Sequence, residues 1–211
     1  MLWDLDGTLA DSRAYHWRAW RETMAADGVV VTEAQFGASF GQRNDRILSA
    51  WLGPDAAPER VHRLGEAKER YFRELVEREG LVPLPGAAEW ARRLDREGWR
   101  QAIASSAPRL NVEVMRRALG LAECLRALAS AEDVRAGKPD PEVFLVAAGR
   151  VGVPPARCIV VEDAAAGIEA ARRAGMRSIG VGAPPLDAAD VAVAALTDLP
   201  ADAFDRLVAS R

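Results

Sequence analysis

Apolar residues fall along this chain in two alternating patterns. Short apolar runs that end in polar or small residues alternate with longer stretches in which apolar positions recur at helical spacing, as expected for a parallel sheet covered by helices on both faces. The runs predict strands at 1–5, 100–104, 125–130, 158–161, 177–181 and 191–194. Helices are predicted at 86–97, 109–119, 141–150 and 164–174, several followed by glycine, which favours a helix C-terminus. The fold class is therefore an open α/β sheet.

The interval from about residue 12 to 83 breaks the alternation. It contains no convincing strand, and its apolar residues keep helical spacing: Tyr15, Ala19, Trp20 and Met24, then Ile47, Leu48 and Trp51, then Val61, Leu64, Tyr71, Phe72, Leu75 and Val76. An inserted all-helical domain at 13–83 is predicted, with a core formed by 1–12 and 84–211. Turn signals at Asp11-Ser12 and around Pro83 and Pro85 are expected to bring the two crossings close together. Glu66 with Arg70, Glu69 with Arg73, and Glu74 with Arg78 stand four apart, and are read as pairs on a solvated helix face worth about 0.2–0.5 kcal/mol each. Only three residues precede Asp4. Either the sheet accepts a short first strand or the natural chain starts upstream.

Composition narrows the class. In 211 residues, 28 Lys and Arg face 31 Asp and Glu, for a net charge of −3, which gives no basic field for nucleic acid or anionic lipid. Hydrophobic residues make up 49% and charged residues 28%, a globular composition with no apolar run long enough to span a membrane. Two cysteines and the lack of a basic leader favour a cytoplasmic location. A monomer or weak homodimer is expected.

In such sheets ligands collect beyond the C-terminal strand ends. Here those ends are polar: Asp4-Leu5-Asp6-Gly7-Thr8, Ser105-Ser106, the loop Gly137-Lys138-Pro139-Asp140-Pro141, and Glu162-Asp163. Each has an ordinary reading: a turn and cap for Asp4 and Asp6, an N-cap for the serines, a surface Lys138, a solvated Glu162-Asp163 pair. Together they place several carboxylates in one cleft, where they repel unless a cation intervenes. All-oxygen ligation suits Mg²⁺, and Lys138 with the Ser105 hydroxyl supplies donors for a phosphoryl group.

The ordered set resembles the haloacid dehalogenase superfamily of phosphotransferases: residues 4–12, 102–106, 137–141 and 161–167 match its motifs in order across nearly the whole chain. The insert resembles the helical cap of the branch containing β-phosphoglucomutase and phosphoglycolate-type phosphatases. The resemblance implies a Rossmann-like, doubly wound core. It implies that Asp4 is the nucleophile, forming an aspartyl-phosphate. Asp6 would be the general acid and base, and its main-chain carbonyl would reach the metal. Asp4 and Asp163 would bind Mg²⁺, with Glu162 a ligand directly or through water. Ser105, the Ser106 amide and Lys138 would hold the phosphoryl.

Specificity is expected from the cap, with His16, Arg43, Asn44 and Lys68 as candidates. His16 on an aromatic-rich helix reads equally as a packed interior residue. A mutase must hold a second phosphate, and the segment Ser106-Ala107-Pro108-Arg109 has Pro108 where the mutase pattern has lysine, leaving Arg109 as a substitute. The expected activity is a Mg²⁺-dependent phosphatase of a small phosphorylated metabolite, a sugar phosphate or phosphoglycolate-like acid. A β-phosphoglucomutase-type mutase is the alternative. A receiver-type phosphoacceptor combines similar groups, but its acceptor lies mid-chain rather than at the fourth residue.

Overall fold

The computed structural model describes residues 1–182 and 186–209. Strands β1 (Leu2–Trp3), β2 (Ala102–Ala104), β3 (Ala127–Ala129), β4 (Ile159–Glu162), β5 (Arg177–Val181) and β6 (Val191–Val193) form one parallel sheet in the order β3-β2-β1-β4-β5-β6. Strand order therefore reverses between β1 and β4. The predicted strands are present: β1, β2, β3 and β6 are shorter than predicted where pairing stops, β5 has its predicted span, and β4 is shifted by one residue. The first is the shortest, yet it pairs on both sides: Leu2 lies opposite Ala102 and Val160, and the Asp4 N–H extends the ladder to the Val161 carbonyl at 2.9 Å.

Both faces of the sheet are covered, which is why its strands read as unbroken apolar runs. Side chains alternate between the layers. Leu2, Ala102, Ala104, Ala129 and Val160 pack under α7 (Glu142–Val151) and α8 (Ala165–Arg173). Trp3, Ile103, Ile159, Val161 and Ile179 pack under α5 (Ala87–Arg96), α6 (Arg109–Ala118) and α9 (Ala203–Ala209). These helices match the predicted ones within a residue or two, except α9, which the sequence reading did not anticipate.

Between β1 and α5 the chain forms α1 (Arg13–Ala26), α2 (Glu33–Ser39), α3 (Asn44–Leu52) and α4 (Pro58–Glu79). They enclose a cluster of their own, with Trp20, Met24, Phe36, Ile47, Leu48 and Leu64 at its centre. Helix α4 spans both cores: Leu64 packs in the helical insert, whereas Phe72, Leu75 and Val76 pack against the sheet layer. The two crossings run side by side, as expected. The Leu84 N–H donates to the Leu9 carbonyl at 3.0 Å, and Ala10 pairs with Pro83.

The charged face predicted for α4 needs correction. Among the described residues, none of the three i,i+4 pairs forms a salt bridge; Arg78 turns to Glu79 at 2.7 Å, Arg73 donates to Asn111 at 2.9 Å, and Glu69 is buried. Position along a helix identifies a possible partner, and here neighbouring elements and residues provide better ones.

Helix α9 is fastened by Phe204, whose ring lies 4.9 Å from Trp90, 6.2 Å from Trp99 and 6.3 Å from Trp3, centroid to centroid. Phe204→Ala removes the wedge among three indoles and should cost about 3–5 kcal/mol. Chemical denaturation measures this; a loss under about 1 kcal/mol would contradict the packing role.

Candidate active site

The reversal of strand order between β1 and β4 opens a crevice at their C-terminal ends. The chain leaving β1 delivers Asp4 to it, and the chain leaving β4 delivers Glu162 and Asp163. One carboxylate oxygen from each of the three lies within 4.8 Å of the others. Two glycines make this convergence possible. Gly7 adopts φ +85°, and a Cβ there would stand 2.2 Å from Asp163 Oδ2. At Gly167, on the first turn of α8, a Cβ would stand 2.0 Å from the Glu162 carboxyl carbon. Thr8, fully buried, donates its hydroxyl to Asp163 Oδ1 at 3.3 Å.

Lys138 enters from the loop before α7 and donates to Asp4 Oδ1 and, at 2.7 Å, to Glu162 Oε2. Its ammonium also lies 5.0 Å over the Phe144 ring. Burial works against this charge, but Asp4 and Glu162 keep Lys138 protonated, above the ordinary lysine value. One ammonium is too little for three carboxylates. Burial and the charge of Glu162 push Asp4 well above the usual carboxylate range, and they raise Asp163 to about 7. A small cation held by oxygen ligands would relieve that repulsion, so the residues present fit a hard divalent metal.

Ser105 and Ser106 lie beyond β2, beside Lys138. The Ser105 hydroxyl, buried, accepts from the Ala107 N–H at 3.0 Å, which leaves its own proton for an incoming oxygen. The N-cap reading of these serines is corrected: α6 begins at Arg109 with Pro108 at its N-cap, and the Arg109 N–H is bound by the Glu132 carboxylate at 2.9 and 3.0 Å. The Arg109 guanidinium is taken by Asp133 at 2.5 Å. It therefore does not stand free as the substitute cation that the sequence suggested.

From the insert, Arg43 reaches the same cleft as Ser105, Ser106, Gly137 and Lys138. Its side chain lies against the Gly137 backbone, where a Cβ would come within 3.3 Å of Arg43 Cδ. Nε has only a long contact to Asp45, at 3.5 Å, and Nη1 is buried with no hydrogen-bond partner among the described residues.

Asp6 takes a separate course. Its side chain is not in the acidic cluster but turns to the insert, where Oδ1 accepts from the Ser12 hydroxyl at 2.5 Å and meets His16 Nε2 at 3.0 Å. The other ring nitrogen of His16, Nδ1, lies 2.8 Å from Lys68 Nζ. An ammonium can only donate, so Nδ1 accepts, and the proton of the neutral ring sits on Nε2 and points at Asp6. Burial opposes ionisation of Asp6, yet His16 beside it and the hydrogen bonds from His16 and Ser12 hold the carboxyl below its usual value. His16 also stacks on Phe72 at 4.0 Å. It is thus both the packed histidine and a neighbour of the catalytic candidates.

Lys68 is 2% exposed and does not reach the cleft surface; its ammonium contacts His16 and Glu69. The structure therefore brings together Asp4, Glu162, Asp163, Lys138, Ser105, Ser106 and Arg43, and joins Asp6, His16 and Lys68 in a second string. Sequence reasoning overlooked Ser12, read as a loop signal, along with Thr8, Glu69 and Asn111. For Ser12 and Thr8 the signal was present, since both lie within the first motif.

The comparisons with known proteins identify the family and the fold. The haloacid dehalogenase-like hydrolase family matches residues 1–175. Hexitol phosphatase B of Escherichia coli is 32% identical over 209 residues, covering 95% of this chain and 93% of that protein. β-Phosphoglucomutase of Bacillus subtilis is 31% identical, covering 94% and 90%. The chloroplastic protein SUPPRESSOR OF QUENCHING 1 of Arabidopsis thaliana is 35% identical over 190 residues, and this chain spans 17% of its length. Among solved structures, CbbY from Rhodobacter sphaeroides in complex with phosphate superposes with a TM-score of 0.88 at 28% identity, covering 97% of each chain. With its motifs, sheet order and helical insert in agreement with that match, the chain belongs to the haloacid dehalogenase-like hydrolase family.

Proposed function

We propose that the chain is a Mg²⁺-dependent phosphatase that acts on a small phosphorylated metabolite, a sugar phosphate or a phosphoglycolate-like acid, through a phosphorylated Asp4. The chain is a phosphoric monoester hydrolase; the finer reading is ours. The observation that carries it is the convergence of Asp4, Glu162 and Asp163 on one point beside Lys138 and Ser105. The division into a core of 1–12 and 84–211 and a cap of 13–83 belongs to the same reading, as do a cytoplasmic location and a monomer or weak homodimer. Among the described residues no helix is long and apolar enough to cross a membrane.

Asp4, Asp163 and the Asp6 carbonyl would hold Mg²⁺, with Glu162 a ligand directly or through water. Bound there, the ion neutralises charge and orients the phosphoryl oxygens. Lys138 and Ser105, with the Ser106 amide, hold the transferring group. An Asp4 oxygen attacks phosphorus, the bond from phosphorus to the substrate oxygen breaks, and the leaving oxygen takes its proton from Asp6. Asp6 is ionised in the free site, and an ester dianion arriving next to it favours proton uptake. In the second half, Asp6 accepts a proton from water, whose oxygen attacks phosphorus and releases Asp4 and inorganic phosphate. His16 and Ser12 hold one oxygen of Asp6, so the other is left for these transfers.

Hydrolysis rather than mutase transfer is supported by the occupied Arg109, whose guanidinium and N–H are bound by Asp133 and Glu132. Arg43 Nη1, which has no hydrogen-bond partner among the described residues, would serve the body of the substrate by binding a carboxylate, hydroxyl or second anion.

Asp4→Asn should lower phosphate release by a thousandfold or more, since the triad-like loss of a nucleophile leaves only binding and positioning; activity within tenfold of the parent would overturn the assignment. A chelator should abolish turnover and added Mg²⁺ restore it, whereas undiminished turnover after exhaustive chelation would remove the metal. Given β-glucose 1-phosphate with a trace of glucose 1,6-bisphosphate, the enzyme should release inorganic phosphate faster than it forms glucose 6-phosphate. The reverse order would make it a mutase. Arg43→Ala should raise KM for a sugar phosphate about tenfold, the loss expected for one charge-assisted hydrogen bond, with little change for p-nitrophenyl phosphate; equal effects on both would place Arg43 outside the specificity site.

A further inference from the structure

Glu69 and Asn111 lie far apart in sequence, on α4 of the insert and α6 of the core. The Asn111 side-chain amide is fully buried and donates to Glu69 Oε2. Its carbonyl oxygen accepts from Arg73 Nη1 at 2.9 Å. The other Glu69 oxygen, Oε1, accepts from Lys68 Nζ at 2.9 Å and from Asn44 Nδ2 at 2.6 Å. Glu69 is 4% exposed, and both of its oxygens are used. Burial opposes its charge, but the Lys68 ammonium next to it holds the carboxyl below its ordinary value.

Lys68 depends on this arrangement. Its charge is as buried as that of Glu69, and its other partners are a neutral histidine nitrogen and the rings of Trp20 and Phe72, at 5.2 and 5.3 Å. Glu69 is the carboxylate in direct contact with the buried Lys68 ammonium, Asp6 acting on it at longer range beyond His16, so where Glu69 points governs where Lys68 points. Lys68 in turn fixes the tautomer of His16, and His16 holds Asp6. Asn44, Lys68, Arg73 and His16 all belong to the insert, whereas Asn111 at one end and Asp6 with Ser12 at the other belong to the core.

We propose that Glu69 and Asn111 are positioning residues: the Asn111 amide engages the Glu69 carboxylate across α4 and α6 and thereby sets Lys68, His16 and the acid–base carboxyl of Asp6 in place. This deepens the phosphatase reading and rests on its assignment of Asp6. Displacing α4 from α6 leaves Glu69 short of a donor and Asn111 short of two partners, both costly when buried.

The test compares substrates that need the proton with one that does not. An alkoxide leaving group, as in a sugar phosphate or glycerol phosphate, requires protonation; nitrophenolate does not. Because kcat/KM reports steps through phosphorylation of Asp4, it isolates this transfer from the later hydrolysis. Glu69→Gln, which keeps shape while removing charge, and Asn111→Ala should each lower kcat/KM for alkyl phosphates by about tenfold or more, a fraction of what a general acid supplies. For p-nitrophenyl phosphate the loss should stay under about threefold. The double variant should be no worse than the more damaged single one, since both cut the same string. Parallel losses on both substrates, additive losses, or no loss would overturn the proposal. If Asn111→Ala does not fold, as judged by circular dichroism, Glu69→Gln alone decides by the same comparison. Asp6→Asn is the control. If it shows the selective loss on alkyl phosphates and the other variants do not, the positioning role alone fails; if it does not, the assignment of Asp6 fails and the proposal with it.

Discussion

Three carboxylates share a crevice with one ammonium, and the rest of the site follows from that imbalance of charge. Like charges at such separations repel by several kcal/mol in a medium of about ε 20. The fold nevertheless brings Asp4, Glu162 and Asp163 within 4.8 Å and keeps them there by geometry. β1 and β4 are neighbours in the sheet, Gly7 and Gly167 leave space where any side chain would collide with an acid, and Thr8 and Lys138 supply donors. Such crowding is unfavourable for the free chain. It becomes useful when a cation and a phosphoryl group arrive, because the ligands do not then have to be gathered.

Core and insert divide the chemistry. Groups that handle phosphorus come from the strand ends of the sheet, which hold them on a buried and rigid base. His16 and Lys68, which line up behind the Asp6 carboxylate, come from helices α1 and α4, and Arg43, which lines the same cleft as Ser105 and Lys138, is the N-cap of α3.

Much of this was legible in the sequence, for identifiable reasons. A strand buried on both faces leaves an apolar run, so β2 and β4 were visible, and the polar residues that close those runs marked the site. The helical insert showed as a long interval without such runs. What was illegible depends on contacts between distant segments. Glu69 and Arg73 stand at the right spacing for a surface pair, but an asparagine on another helix recruits both, and nothing near residue 69 announces it. Arg109 looked available because Glu132 and Asp133 lie more than twenty positions away. Helix α9 is short and was missed because much of its hold is a phenylalanine among tryptophans drawn from three other segments, with Ala203 and Leu207 buried beside it. The receiver reading fell on motif order, which was readable, and the family match agrees.

The central claim is that these acids are assembled so that Asp4 can carry a phosphoryl group between substrate and water. The most direct measurement is to mix the enzyme with Mg²⁺ and a turning-over phosphate ester, quench in acid within milliseconds, and map the modified peptide by mass spectrometry. The account predicts a phosphoryl on Asp4 that is released by hydroxylamine, as an acyl phosphate should be. A phosphoryl on any other residue, or ester hydrolysis at full rate with no phosphorylated enzyme at any quench time, would contradict it.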